Sequence, residues 1–459
     1  MTSDEAGKAT LLDRIAGFAA SFRLADAPPA VIEKARVTLL HDLSVALAGY
    51  RQAEPAARLA VDYAAVPADG ARLLVTGESV AVTAAALAHG ALIHARTQDD
   101  SQLSAQMHLG CTTLPALLAL GDRDDVSGAD FLAAMIIGYE VATVIGREAS
   151  RAATARGFRP ASIFGPFAAA AACARLLGLD AGGVRSALAL AASFGGGVNQ
   201  TWASGGQEWQ YQVGVASGNG LTSALLASRG VTGAPDALEG AAGFYRAFTD
   251  EPRDTQPVGD LGTHWNVLDV SFKPHPVCAI NQNPTDLALR LVRDHRVPLD
   301  SIDEVELYLP PHQARYPAID NGGPFGSAGA ALMSAQFCVV VALSRHRIGV
   351  ADLESELTPA EQALVGNFRV IDDAGLTENS CRLVVRAGGT EIVETHTASL
   401  SDGSWGRDRA LDLAEALQPE MPVGPQQARA LAHACLNVER HRVRDLISLT
   451  MRDGYPAKV

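Results

Sequence analysis

From Leu11 to about Leu226 the apolar residues recur at three- and four-residue spacing, in blocks such as AVIEKARVTLLHDLSVALAGY, AVTAAALAHGALIHA, ADFLAAMIIGYEVATVIGREA and FGPFAAAAACARLLGL. That is the period of helices with a buried face. Stop and start signals agree with it, since Gly178 follows one run and Asp180 stands at the N-cap position of the next. The character changes after the stretch from Glu251 to Gly262, which is rich in Pro, Asp and Gly. Segments 265–272, 303–309, 368–371, 382–385 and 392–400 carry the β-branched, partly alternating pattern of strands, and helical patterns at 283–294 and 332–343 lie among them. From Arg407 onward the period is helical again, in RDRALDLAEAL and QQARALAHACLNVERHRVRDLISLTM. The pattern predicts a mostly α chain, with a large, discontinuous all-helical domain from residues 1–264 and 407–459 and a smaller α+β insert, 265–406.

Length supports two units, because 459 residues exceed the roughly 250–300 at which single cores stop growing. Hydrophobic residues at 48%, charged residues at 19% and a mean hydropathy of +0.09 give ample surface to bury and leave little case for disorder. The net charge of −14 and pI near 5.3, with no run of Lys or Arg, argue against nucleic acid or an anionic membrane as partner. Six cysteines stand singly, without paired spacing, and read as free thiols, mostly buried. The N-terminal segment carries early acids where an export signal has a basic start and a continuous apolar stretch. Apolar windows such as Phe167 to Leu177, interrupted by Arg175, fall short of the ~20 residues of a membrane span. A cytoplasmic protein acting on a small molecule is expected.

No phosphate loop, HExxH or dinucleotide fingerprint is present, and no metal-ligand spacing occurs among twelve histidines and six cysteines, so neither cofactor nor metal is expected. Gly195, Gly196 and Gly197 follow a helix pattern and mark a chain break or a close backbone contact. The stretch HARTQDDSQLSAQMHLGCTTLPALLAL, from His94 to Leu120, is the most informative. A helix ends near His94. Asp99, Asp100, Ser101 and His108 then fill a polar segment before the next apolar helix, a placement that suits general acid/base work, although Asp99, Asp100 or Ser101 could instead cap a helix.

This segment resembles the HALDFDDT…HPS segment of the 2-methylcitrate dehydratase (MmgE/PrpD) family, and the resemblance runs along nearly the whole chain. HDLSVALAGY is similar to the family's early LLD…ALAG helix, RGFRPASIFGPFAAAAACARLLGL to its GFHPT segment, GVTGAPDALEGAAGF to GfTGp…LEG..GF, SFKPHPVCAINQNPTDLAL to fKPYPCCRFTHpaIDAAL, and SAQFCVVVAL to DAQFSl.YalA.AL. The resemblance implies a large helical domain with a smaller α+β lid, an active site between them, a homodimer, and chemistry that moves a proton on carbon next to a carboxylate without metal or organic cofactor. His108 falls on the family's catalytic histidine and is the first acid/base candidate, because an imidazole exchanges protons near neutrality. Asp99 comes next. Lys273 falls on the lysine of KPYP, where an ammonium can hold a carboxylate or stabilise an enolate. Cys278 matches a family cysteine and reads as a packed thiol.

Several positions depart from the pattern. The first acid of DFDD is Thr97, the threonine is Ser101, and the GFHPT histidine is Arg159. A basic residue and a histidine become Trp209 and Gln212, the arginine and histidine after KPYPC become Ala279 and Gln282, and KPYP reads KPHP with His275. Ser101, Arg159, Trp209, Gln212, His275 and Gln282 are thus expected to line the substrate site. The loss of cations predicts a substrate less anionic than 2-methylcitrate, since a buried unpaired carboxylate is penalised, and Trp209 predicts a bulkier or partly apolar one. Three functions follow: a lyase, foremost a dehydratase; an isomerase, epimerase or cyclase using the same proton abstraction; or a catalytically silent binding protein.

Overall fold

The computed structural model describes residues 9–66, 69–250, 260–399 and 402–452. The readings made for the first eight residues, for most of the Glu251–Gly262 stretch and for Leu400 lie outside the described residues. The described residues are mostly α, with one small mixed sheet. Helices α1 (Leu11–Ser21), α2 (Pro29–Ala48), α3 (Glu54–Ala64), α4 (Val82–His94), α5 (Gly110–Arg123), α6 (Gly128–Gly146), α7 (Ser150–Ala155), α8 (Pro160–Leu176), α9 (Ala181–Phe194), α10 (Gln200–Ser204), α11 (Trp209–Ser228) and α12 (Phe244–Thr249) come first. Helix α13 (Gln282–His295), α14 (Pro311–Ala314), α15 (Ala328–Met333), α16 (Ala335–Arg345), α17 (Val350–Leu353) and α18 (Pro359–Gly366) then alternate with strands, and α19 (Arg407–Leu417), α20 (Pro425–Leu436) and α21 (Val443–Thr450) close the chain.

Local chemistry sets these ends. Asp180 caps α9 by accepting from the Gly183 N–H at 2.8 Å, and Gly178, at φ +66°, takes the left-handed position just beyond α8. The helical run read at 332–343 is split, because the Ser334 hydroxyl accepts from the Phe337 N–H and starts α16 anew after α15. Helices α4 and α11 cross so closely that a methyl group on Gly90 would sit 2.4 Å from the Gly214 Cα, which demands glycine at both.

The apolar faces form two main cores. One gathers α1 to α9 and α11, together with Trp405 and residues of α19, α20 and α21; α19 and α20 pack on α2, and α21 packs on α5. Helix α6 is long and apolar enough to span a membrane by length and composition, and it is buried in this core. The other core gathers α13, α15, α16 and the sheet, and it takes in Trp202 and Trp209 from α10 and α11. A short hairpin, β1 (Ala71–Arg72) with β2 (Ser79–Val80), precedes the sheet of β3 (Ile302–Leu309), β4 (Phe368–Asp372), β5 (Cys381–Ala387) and β6 (Thr390–His396). Its order is β4-β3-β5-β6, with β3 and β4 parallel and the other pairs antiparallel.

One strand reading is corrected. Segment 265–272 contains a 3-10 turn, Asn266–Asp269, because the buried Glu140 carboxylate of α6 gathers the N–H groups of Asn266 and Val267, both at 3.0 Å, and the Asn266 side chain at 2.7 Å. Those donors are lost to any β ladder. The segment rejoins extended geometry only at Ser271, which exchanges two 2.8 Å hydrogen bonds with Ser101.

Candidate active site

A cavity of about 320 Å³ lies where the two cores meet, lined by residues from α4, the loop after it, α7, α8 and α10 on one side and by Cys278, Tyr316, Met333 and Asn379 on the other. The loop between α4 and α5 is its floor. Thr97 adopts φ +51° there, a costly conformation for a β-branched residue, and in exchange its carbonyl accepts from the Lys273 ammonium. Further bonds tie this loop to the segment carrying Lys273: Gln98 Nε2 donates to the Pro274 carbonyl at 2.8 Å, and Ser101 pairs with Ser271.

At the centre stands Asp99, fully buried. Its carboxylate accepts from His94 Nδ1 at 2.9 Å and lies 3.8 Å from Lys273 Nζ and 3.9 Å from His108 Nδ1. Burial opposes its ionisation, but His94, Lys273 and His108 together hold the carboxyl well below the usual carboxylate range. The protons on the histidines follow from their partners. An Arg159 Nη2–H donates to His94 Nε2 at 2.7 Å. Guanidinium cannot accept, so His94 is neutral with its proton on Nδ1. Burial, which lowers its pKa, favours the same state.

His108 Nδ1 lies 2.9 Å from the Asp100 carbonyl and 3.3 Å from Ser101 Oγ. A carbonyl only accepts, so Nδ1 carries the proton and Nε2 keeps a lone pair. Burial, and then the charge of Lys273, push the His108 pKa well below its ordinary value. Its side chain is 22% exposed against 1% for His94, so His108 is the imidazole that a bound molecule reaches.

His108, Lys273, Ser101 and Arg159 all line the cavity, with Asp99 directly behind. Arg159, however, is largely committed: besides His94 it donates to the Trp209 carbonyl and to Gln212 Oε1 at 3.0 Å. The other residues expected from the sequence at the substrate site lie outside this lining. Trp209 is absent from the lining; it stacks on Trp202 at 5.4 Å and meets His94 edge-on, and the indole at the cavity is Trp202. Gln212 serves Arg159 and the Val198 carbonyl. His275 is paired with Asp286 at 2.7 Å, and Gln282 spends its amide on the backbone of His275 and Val277. None of these three lines the cavity. Asp100 does act on a helix end, accepting from the Gly110 N–H of α5 at 2.7 Å. The glycine run makes a close backbone contact, with Gly197 accepting from the Arg159 N–H.

Sequence reasoning missed His94, Trp202 and Tyr316. His94 opened the informative stretch and carried a signal, five residues before Asp99; Trp202 and Tyr316 carried none. Tyr316 lines the cavity, and burial keeps its phenol protonated far above neutrality. The lining also includes the apolar residues Met107, Ile280, Leu332 and Met333. His94, Asp99 and Cys111 offer ligand atoms within 4.8 Å of one another, yet this donor set does not fit a metal. Arg159 already donates to His94 Nε2, burial pushes the Cys111 thiol up, and Lys273 matches the Asp99 charge.

The cavity thus gathers a neutral imidazole and an ammonium in its lining, with a buried carboxylate behind them. Residues 13–256 match the model of the MmgE/PrpD N-terminal domain and residues 275–408 that of the C-terminal domain. The chain belongs to the MmgE/PrpD family. It is similar to a cis-aconitate decarboxylase of Aspergillus terreus, 27% identical over 64% of this chain and 62% of that protein. It is also similar to the human cis-aconitate decarboxylase, 30% identical over 50% of this chain and 49% of that protein, and to the cis-aconitate decarboxylase-like protein oryM of Aspergillus oryzae, 28% identical over 60% of each. The matches thus span between half and about three fifths of these relatives' lengths.

Proposed function

We propose that this protein is a lyase that moves a proton on carbon next to a carboxylate, foremost a dehydratase, on a substrate with one carboxylate at the reacting end and an apolar arm. The observation that carries the reading is the convergence of His108, Lys273 and Tyr316 on one cavity. The His108 lone pair takes the α-proton, Lys273 holds the carboxylate and the negative charge that develops on it, and Tyr316 supplies the proton with which the β-hydroxyl leaves as water. Asp99 fixes the charge of Lys273 and the tautomer of His94, which in turn orients Arg159.

Charge supports the choice of substrate. Lys273 and Arg159 face Asp99, and at the mouth Arg151 pairs with Glu378 at 2.5 Å, so the cavity has one positive charge in surplus and a tricarboxylate leaves anions unmatched. Trp202, Met107 and Met333 suit the apolar arm. The names of the relatives favour a second reading, decarboxylation, in which the same site protonates the carbon that loses CO2. The test is to incubate the protein with β-hydroxy and unsaturated acids bearing one to three carboxylates and to read product masses. Loss of one water from the less anionic acids supports the proposal, loss of CO2 the second reading, and rearrangement at unchanged mass an isomerase.

A further inference from the structure

Outside the cavity lining, two buried carboxyl groups hold the loop that presents His108. Asp42, from the middle of α2, and Asp100 are both fully buried. Asp42 Oδ1 accepts from the Asp100 N–H at 3.1 Å, and Asp100 Oδ1 accepts from the Gly110 N–H at 2.7 Å. The second oxygen of Asp42 has no hydrogen-bond partner, and that of Asp100 has none in good geometry, although the Tyr139 hydroxyl stands against the Asp100 carboxyl. Both close on the same glycine: a methyl group on Gly110 would lie 1.9 Å from Asp42 Oδ2 and 3.0 Å from Asp100 Oδ1. Asp100 also receives the His108 Nδ1–H on its carbonyl, so the pair fixes both ends of the loop from residue 100 to residue 110.

The charges around the pair do not match two carboxylates. Asp99, on the same loop, already takes Lys273. From α2 come His41, whose pKa burial lowers to about 4, and Lys34, whose buried ammonium has no hydrogen-bond partner and lies 4.2 Å over the Phe272 ring. From α6 comes the Tyr139 phenol and from α5 the Cys111 thiol, both held protonated by burial, while Asp269 faces Lys34 from the 3-10 turn. One ammonium therefore serves two buried carboxyls, and a single proton on the pair restores the balance and gives an orphaned oxygen its donor.

We propose that Asp42 and Asp100 share one proton and together clamp the loop that carries His108, which makes Asp42 a positioning residue of the site although it touches no substrate. Its effect on turnover rests on the reading of His108 as the base. Burial, with the charge of the neighbouring acids, raises both carboxyls, Asp100 to about 7. With both carboxyls raised, Asp100 to about 7 and Asp42 well above its ordinary value, the last proton leaves the pair only as pH rises above that range, and there repulsion opens the clamp and turnover falls.

In Asp42→Asn the amide N–H stands permanently where the shared proton was. This variant is expected to keep turnover near pH 6 and to move the alkaline limb of kcat upward by about one pH unit or more, whereas Asp42→Ala lowers kcat by about 10²-fold with little change in KM. Independently of turnover, infrared spectra of ¹³C-aspartate protein are expected to show, at a pH above the Asp100 value of about 7, a protonated-carboxyl band that Asp42→Asn removes. Absence of that band in the wild-type protein overturns the shared proton, and it decides the matter even where the variants fail to fold. A band present with an unshifted alkaline limb in Asp42→Asn overturns the positioning role. Failure of His108 as the base leaves the band in place, so the two readings fail separately.

Discussion

Replacing Asp99 by Asn keeps shape and one acceptor oxygen for His94 Nδ1–H while removing the charge opposite Lys273. At 3.8 Å between two buried groups, the lost attraction is about 4 kcal/mol at an effective dielectric constant of about 20. This agrees with the roughly 3–5 kcal/mol that breaking a buried pair costs when one charge is left behind. Relief from burying the carboxylate works the other way, so about 3 kcal/mol is the expected net loss of stability. Urea unfolding near pH 7, followed by tryptophan fluorescence and circular dichroism, measures it. The double variant Asp99→Asn/Lys273→Met is expected to regain most of the loss, because no ammonium is then left unmatched. The pH dependence has a definite sign: a depressed carboxyl stabilises the fold above its ordinary value of 3.8, and that contribution is lost as pH falls through the still lower folded value. A single variant within about 1 kcal/mol of the wild-type protein, or a double variant no more stable than the single one, would refute the electrostatic account of the centre.

His108→Ala is expected to lower turnover by about 10²–10⁴-fold with an unchanged circular dichroism spectrum. Because its pKa is depressed below 6.5, His108 is a neutral base at higher pH, and the acid limb of kcat/KM should fall below pH 6.5; a limb above that value contradicts the assignment. Glu140→Ala frees the buried N–H groups of Asn266 and Val267 and is expected to cost roughly 2–4 kcal/mol in urea unfolding and to raise KM through Lys273, whereas a change in stability alone would separate that loop from the site. We further propose that the chain works as a homodimer through its helical part, where Tyr63 of α3 is 85% exposed and Leu59 is 52% exposed; light scattering showing only monomer at micromolar concentration counts against this.

Much of the fold is legible in the sequence because periodicity reports burial directly. The runs that became α6 and α8 are buried nearly throughout and those of α2 and α4 for the most part, and β3, β4, β5 and β6 arise from the β-branched segments. What is not legible depends on partners distant in the chain. Segment 265–272 reads as a strand until Glu140, more than 120 residues earlier, takes its N–H groups. Strands β1 and β2, two residues each, are too short for alternation to register. In the site, Asp99, Ser101 and His108 were visible as a polar segment between two apolar helices, and Lys273 and Arg159 through the family resemblance. Trp209 was expected at the cavity, yet stacking of two indoles decides which ring faces it, and spacing cannot say that Trp202 does. Nothing in RYPAID singles out Tyr316, which arrives from the far side of the second core.

The measurement that bears most directly on the site is exchange of the substrate α-proton with heavy water, read by mass spectrometry or NMR for the wild-type protein and His108→Ala on the acid that the product screen identifies. The account predicts that the wild-type protein exchanges this proton or places deuterium on the corresponding product carbon, and that His108→Ala, folded and still binding the acid, does so about 10²-fold more slowly or less. Exchange at the full rate in His108→Ala would contradict it and place the base elsewhere.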